Sequence, residues 1–141
     1  MPDIEGQQSW PGRSGPIPGS TDVMGTASGV SIQSGYPAHT KGAWVELIAS
    51  TSKKAIGVAV TFSCAENPYR YLFDLGIGAA GSETVLIPNI YLRIDGINAI
   101  CSTTLFLPCF IPAGTRISMR FQLSGAAYKY GNGAVGLITQ D

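Results

Sequence analysis

The chain has 141 residues, nine basic and nine acidic, for a formal net charge of zero; 13% of it is charged and 45% hydrophobic. No run of like charge exceeds Lys53–Lys54, so neither nucleic acid nor an anionic membrane is expected as a partner. No apolar run approaches the roughly 20 residues of a membrane-spanning helix, and the length fits one domain with a real core.

Residues 1–41 read as a Gly/Pro-rich N-terminal arm. They hold seven of the 18 glycines and five of the nine prolines, with sparse apolar residues and no sustained period. Alone, such a segment cannot bury enough surface to offset its ordering entropy. Either it is a disordered tail or it orders against neighbouring subunits. Trp10 favours the second reading, because a lone Trp in a polar segment suits an anchor. Extended, such an arm reaches on the order of 130 Å. Val23, Val30 and Ile32 suit a short strand added to a sheet edge. The start, MPDIEGQQSW, lacks the basic and apolar stretches of a signal peptide, so the chain is expected to be made in a cytoplasm and to stay there, or to leave by a route other than a cleaved signal.

Residues 42–141 read as a β-sandwich domain. Ala43–Ser50 is a strand, with Trp44, Glu46 and Ile48 on one face. Ala55–Cys64 alternates most clearly, Ile56, Val58, Val60, Phe62 and Cys64 sharing a face. The short turn at residues 51–54 suggests that these two strands form a hairpin. Arg70–Gly78 turns Tyr71, Phe73, Leu75 and Ile77 inward. Glu83–Leu92 is a strand whose Pro88 requires an edge or a bulge. Asp95-Gly96 is a hairpin-turn pair.

Leu105–Leu123 carries the strongest signal. Ile117, Met119, Phe121 and Leu123 alternate with Arg116, Ser118, Arg120 and Gln122, as in a strand with one dry face. Leu105–Ile111 is apolar on both faces, as a strand buried on both sides would be. Pro112-Ala113-Gly114-Thr115 suits a tight turn, so a hairpin is expected here. Ser124–Gly133 reads as a loop and Ala134–Thr139 as the last strand. The expected fold is all-β: a jelly-roll-like sandwich of about eight antiparallel strands with an extended N-terminal arm.

Chemistry is not legible. His39 is the sole histidine and sits in a loop-like segment, so a nucleophile-plus-base arrangement is not expected. Asp74 lies mid-strand among apolar residues and is read as facing solvent or pairing with Arg70, Arg116 or Arg120. Gly76–Gly81 matches G-x-G-x-x-G, but a strand follows where the phosphate motif needs a helix; it is read as a turn. No metal or cofactor is expected, and no enzymatic activity. The cysteines, Cys64, Cys101 and Cys109, are either buried thiols or candidates for a disulfide, which needs an oxidising destination. Tyr69, Tyr71, Tyr91, Tyr128 and Tyr130 are the aromatics available to a sugar-binding face.

GAWVELIAST, DLGIGAAGSETVLIPNIYL and FLPCFIPAGTRISMRFQ together resemble small all-β virion structural proteins of tailed bacteriophages, over residues 42–123. The resemblance implies a homo-oligomer in a virion, placed at the neck, collar or tail first and as capsid decoration second. Its partners would be itself and other virion proteins. Low charge suits such contacts, with Trp10, Trp44, Arg116 and Arg120 as the expected subunit-interface residues. A receptor- or carbohydrate-binding module of a fibre or spike, taking a host-surface glycan, is the alternative.

Overall fold

A computed structural model of the chain describes residues 29–64, 70–93, 101–125 and 128–139. Its strands are β1 (Val30–Gln33), β2 (Val45–Ile48), β3 (Ala55–Cys64), β4 (Arg70–Ile77), β5 (Thr84–Arg93), β6 (Cys101–Ile111), β7 (Ile117–Leu123) and β8 (Tyr130–Thr139). No helix occurs among the described residues. Two four-stranded sheets form, in the orders β1-β8-β3-β6 and β2-β7-β4-β5, and every pairing is antiparallel. The ladders β1–β8, β2–β7, β3–β6 and β4–β5 nest inside one another, as in a long hairpin wound over itself. That is the jelly-roll sandwich the strand spacing suggested.

The nesting overturns both expected hairpins at residues 43–64 and 105–123. β2 lies in one sheet and β3 in the other, and so do β7 and β6. Each intervening turn crosses between sheets, and the two crossings are tied together. Thr51 N donates to Thr115 O (2.9 Å) and Gly114 N donates to Thr51 O (2.6 Å). Thr51 Oγ1 donates to Pro112 O (2.9 Å) and accepts from Thr115 N (3.0 Å). Gly114 has φ +78°, which a residue with Cβ adopts only at a cost. The consecutive pair that does share a ladder is β4–β5, across the Gly78–Gly81 turn, where Ser82 N donates to Ala79 O (2.9 Å). A strand follows that turn, as the sequence required.

Inward faces follow the alternation. Val58, Val60 and Phe62 of β3, Tyr71, Phe73 and Leu75 of β4, and Ile117, Met119 and Phe121 of β7 are all fully buried. Phe62 anchors the centre, its ring 5.0 Å from those of Phe73 and Phe121 and 5.9 Å from Tyr71. Such geometry adds about 0.5–1.5 kcal/mol per ring pair beyond burial. Register shifts break the alternation in β2 at Glu46/Ile48 and in β3 at Ala55/Gly57, so Leu47 and Ile48 are both buried, as is Ala55.

Two further expectations change. β8 begins at Tyr130, inside the stretch read as a loop. Gly131 and Gly133 face the core, where a Cβ would meet the Phe62 ring in one case and Met119 Sδ (2.5 Å) and Ile32 Cδ1 (2.7 Å) in the other. These glycines make room rather than turns. β6 is not buried on both sides: Phe106 and Phe110 are 58% and 62% exposed, because among the described residues the sandwich has two layers and nothing packs over the outer face of this sheet at β6. At the opposite edge, Val30 and Ile32 do form a short strand, β1, so the described sandwich begins ahead of residue 42. Pro88 lies in β5, an edge strand, and the β4–β5 register shifts beside it. The 1–28 part of the arm and Asp95-Gly96 lie outside the described residues.

Candidate functional site

The outer face of the β2-β7-β4-β5 sheet carries a buried carboxylate. Asp74, 3% exposed, stands opposite Arg120 in the β4–β7 register. Arg120 Nε donates to Asp74 Oδ2 (2.9 Å), while Lys41 Nζ (2.6 Å) and Asn89 N (2.8 Å) donate to Oδ1. Lys41 Nζ also donates to Asn89 Oδ1 (2.9 Å) and Leu72 O (3.3 Å). Asn89 sits at φ +52° after Pro88, so the bulge in β5 turns its N–H toward the carboxylate. Burial pushes the Asp74 carboxyl up, but the Asn89 N–H and the hydrogen bonds from Lys41 and Arg120 outweigh it, and its pKa falls below the ordinary value. Asp74 is thus a fixed anion, suited to holding segments together and unsuited to moving a proton near neutrality.

Trp44 closes this node. The Arg120 guanidinium lies 4.3 Å from its ring centroid. The ring rests on Gly76, where a Cβ would come within 2.6 Å of Trp44 Cη2. At the next site along the sheet, Arg116 Nε donates to Glu46 (2.8 Å) and Nη1 to Glu83 (2.9 Å) and Gly78 O (3.3 Å). The Glu46 hydrogen bond leads in raising the Arg116 pKa. Burial acts to raise that of Glu83, but its own backbone N–H, Arg116 and the Gly81 N–H bring it below the ordinary value. Of the expected interface residues, then, Trp44, Arg116 and Arg120 are engaged within the chain, and Trp10 lies outside the described residues.

The cysteines separate. Cys64 and Cys101 are Cα partners in the β3–β6 register. Cys109 is free and half-buried, its thiol pushed up by burial and so held protonated. Of the tyrosines, Tyr71 is core, Tyr91 is exposed on β5, and Tyr128 and Tyr130 are exposed near β1; Tyr69 is not described.

A second apolar surface lies on β6. Cys101–Ile111 reads CSTTLFLPCFI, without a charge. Among the described residues it pairs with β3 alone. Phe106 and Phe110 stand on its outer face, and Leu105, Leu107 and Cys109 pack partly buried against the core. By strand order β5 lies across from β6, and it offers half-buried Leu86 and Ile87.

No known protein family matches the sequence, and no curated protein matches it. Among solved structures, the chain is similar to that of Eiger TNF from S. frugiperda, at 14% identity and TM-score 0.42, over 86% of this chain and 94% of that one. It is also similar to a chain in a structure of infectious bursal disease virus Gx strain, at 14% identity and TM-score 0.32, over 85% of this chain and 31% of that one. These likenesses are too distant to assign a role.

Sequence reasoning left Asp74 facing solvent or paired with Arg70, Arg116 or Arg120; the structure selects Arg120 and gives Arg116 to Glu46 and Glu83, and nothing in the sequence pointed to Lys41, Asn89, Tyr36 or Gln33. Lys41 reaches Asp74 from 33 residues away, and no local pattern announces such a contact. Tyr36 and Gln33 fell within the segment read as an arm.

Proposed function

We propose that this chain is a non-enzymatic structural subunit of a virus particle that associates with further copies of itself through β6, which among the described residues is the edge of its sheet. The observation that supports this is the edge itself: eleven residues without a charge, carrying exposed Phe106 and Phe110. Edge strands in soluble proteins are ordinarily protected by charge, bulges or covering segments, because their open N–H and C=O groups pair with other chains. β6 has no charge; its Pro108 removes one donor, as edge positions tolerate. Two such edges meeting antiparallel would extend the sheet and bring four phenylalanines together on its outer face. The jelly roll serves many functions and does not decide between them.

The motifs at residues 42–123 supply the finer reading: a tailed-phage particle, with a neck, collar or tail position first and capsid decoration second. Other particle proteins would be its remaining partners, and the virion its location. The N-terminal segment, with Trp10, would contact neighbouring subunits.

Size-exclusion chromatography with light scattering tests the assembly. The full chain is expected to oligomerise. Phe106→Lys with Phe110→Lys is expected to give a folded monomer, with the native circular dichroism spectrum and a midpoint that no longer depends on protein concentration. A monomeric wild type at high concentration, or a double variant that still oligomerises, refutes it. Mass spectrometry of purified particles tests the location.

A further inference from the structure

A groove on the other side of the sandwich, beside β1 and β8, has a different character. Its volume is about 440 Å³, within the range of small-molecule sites. Tyr36 and Tyr128 line it with ring centroids 5.4 Å apart and planes at 35°, and Tyr130 joins them. All three are more than half exposed. We propose that this groove binds a neutral carbohydrate.

The walls are held in place before any ligand arrives. Ser34 N donates to Lys129 O (2.9 Å) and Lys129 N to Ser34 Oγ (3.1 Å), joining the segment that carries Tyr36 to the one that carries Tyr128. Gly35 N donates to Thr40 O (3.1 Å) and closes the loop around Tyr36. Gln33 Nε2 donates to Tyr130 Oη (2.9 Å), and the two residues face each other in the β1–β8 register. Binding therefore orders little that is not already ordered.

The chemistry of the lining selects the ligand class. Tyrosine offers a rigid apolar face with a hydroxyl at its rim and loses little side-chain entropy on contact. A sugar ring presents the complement: C–H groups on its faces and hydroxyls around its edge. Ser31, Gln33 and Thr40 add hydroxyl and amide groups to the lining. The cation in the lining, Lys41, has its ammonium against Asp74, Asn89 Oδ1 and Leu72 O. The ammonium's hydrogen bonds are thus directed to groups of the chain and not into the groove, which favours a neutral saccharide over an acidic one or a nucleic acid. The groove lies at the β1 end of a sheet whose other end is β6, so assembly through β6 leaves it accessible.

The test is a titration of the isotopically labelled full chain with maltohexaose, cellohexaose, chitohexaose and a linear mannan hexasaccharide, followed by NMR, with sialyllactose and a heparin fragment as acidic controls. At least one neutral saccharide is expected to give saturable shifts at the Gln33 side-chain amide and the Tyr36 and Tyr128 backbone amides, insensitive to salt. Tyr36→Ala and Tyr128→Ala are each expected to weaken binding about tenfold, and Gln33→Ala to weaken it with the fold intact. The proposal is overturned if no neutral saccharide shifts these residues, if only the acidic controls do, or if the tyrosine variants bind as the wild type does. It is equally overturned if those variants lose self-association instead, since the groove is then a subunit contact. Oligomeric state read alongside separates this result from the fate of the β6 edge.

Discussion

Asp74→Asn removes the charge at the centre of the outer-face node and keeps its shape. In the native chain both carboxylate oxygens accept, Oδ1 from Lys41 and Asn89 and Oδ2 from Arg120. An asparagine retains one acceptor for the Asn89 N–H but turns an NH2 toward either the ammonium or the guanidinium. Removing one partner of a fully buried ion pair costs about 3–5 kcal/mol. Here the side chains of Lys41 and Arg120 are 17% and 28% exposed, so water recovers part of that and the expected loss is about 2–3 kcal/mol. For a chain of this size the thermal midpoint falls by about 10 °C. The assay is urea and thermal unfolding by circular dichroism, wild type against variant, at several pH values. The folded carboxyl has a pKa below its unfolded one, so the native state binds the ionised form preferentially. Its contribution is fully present above the unfolded value of about 3.9 and is lost as pH falls through the folded value. The gap between wild type and variant is therefore expected to be constant from pH 5 to pH 8 (a range set by that unfolded value) and to shrink only below about pH 4. A gap under about 0.5 kcal/mol at neutral pH, within the range of an ordinary surface substitution, would refute the reasoning. So would a gap that stays constant down to the most acid pH at which the chain folds.

Two core substitutions test the packing. Gly131→Ala places a methyl against the Phe62 ring, with Cε1 at 2.9 Å and Ser63 O at 3.2 Å. Phe62 is itself wedged among Tyr71, Phe73 and Phe121 and cannot yield, so a loss of about 2–3 kcal/mol is expected; an unchanged urea midpoint would show that the ring has room. Ser118→Ala goes the other way. Ser118 Oγ is buried without a hydrogen-bond partner among the described residues, so its removal is expected to be neutral or to stabilise by up to about 1 kcal/mol. A clear destabilisation in the same assay would mean that the hydroxyl is satisfied in solution.

Most of the inward faces were legible because alternation is a local property. In β3, β4 and β7 the residues that repeat every second position are the ones that meet at Phe62. The Gly76–Gly81 turn was legible for the same reason: a strand, not a helix, follows it. The candidate sites were legible only in pieces. Tyr128 and Tyr130 stood out as aromatics, but their neighbours Tyr36 and Gln33 lay in a segment whose Gly/Pro composition hid an edge strand. Phe106 and Phe110 were visible, and their exposure was not, because a run apolar on both faces fits a strand covered on both sides as well as one whose outer face is open to solvent.

By itself, then, the sequence determined the class of fold, the number and rough extent of the strands, and which side chains of the clearest strands turn inward, since each follows from a two-residue period and from punctuation by Gly and Pro. Pairing was decided only in three dimensions. Pro112–Thr115 is as good a turn for a hairpin as for a crossing between sheets; its bonds to Thr51, 61 to 64 residues away, settle which it is. Likewise Gly131 and Gly133 look like loop residues until Phe62, Ile32 and Met119 arrive over them. The charged residues of the outer face acquired their roles in the same way: Lys41, Asp74 and Arg120 become one node because β4 and β7 are neighbours in the sheet and residue 41 lies over them, a relation that no local spacing encodes.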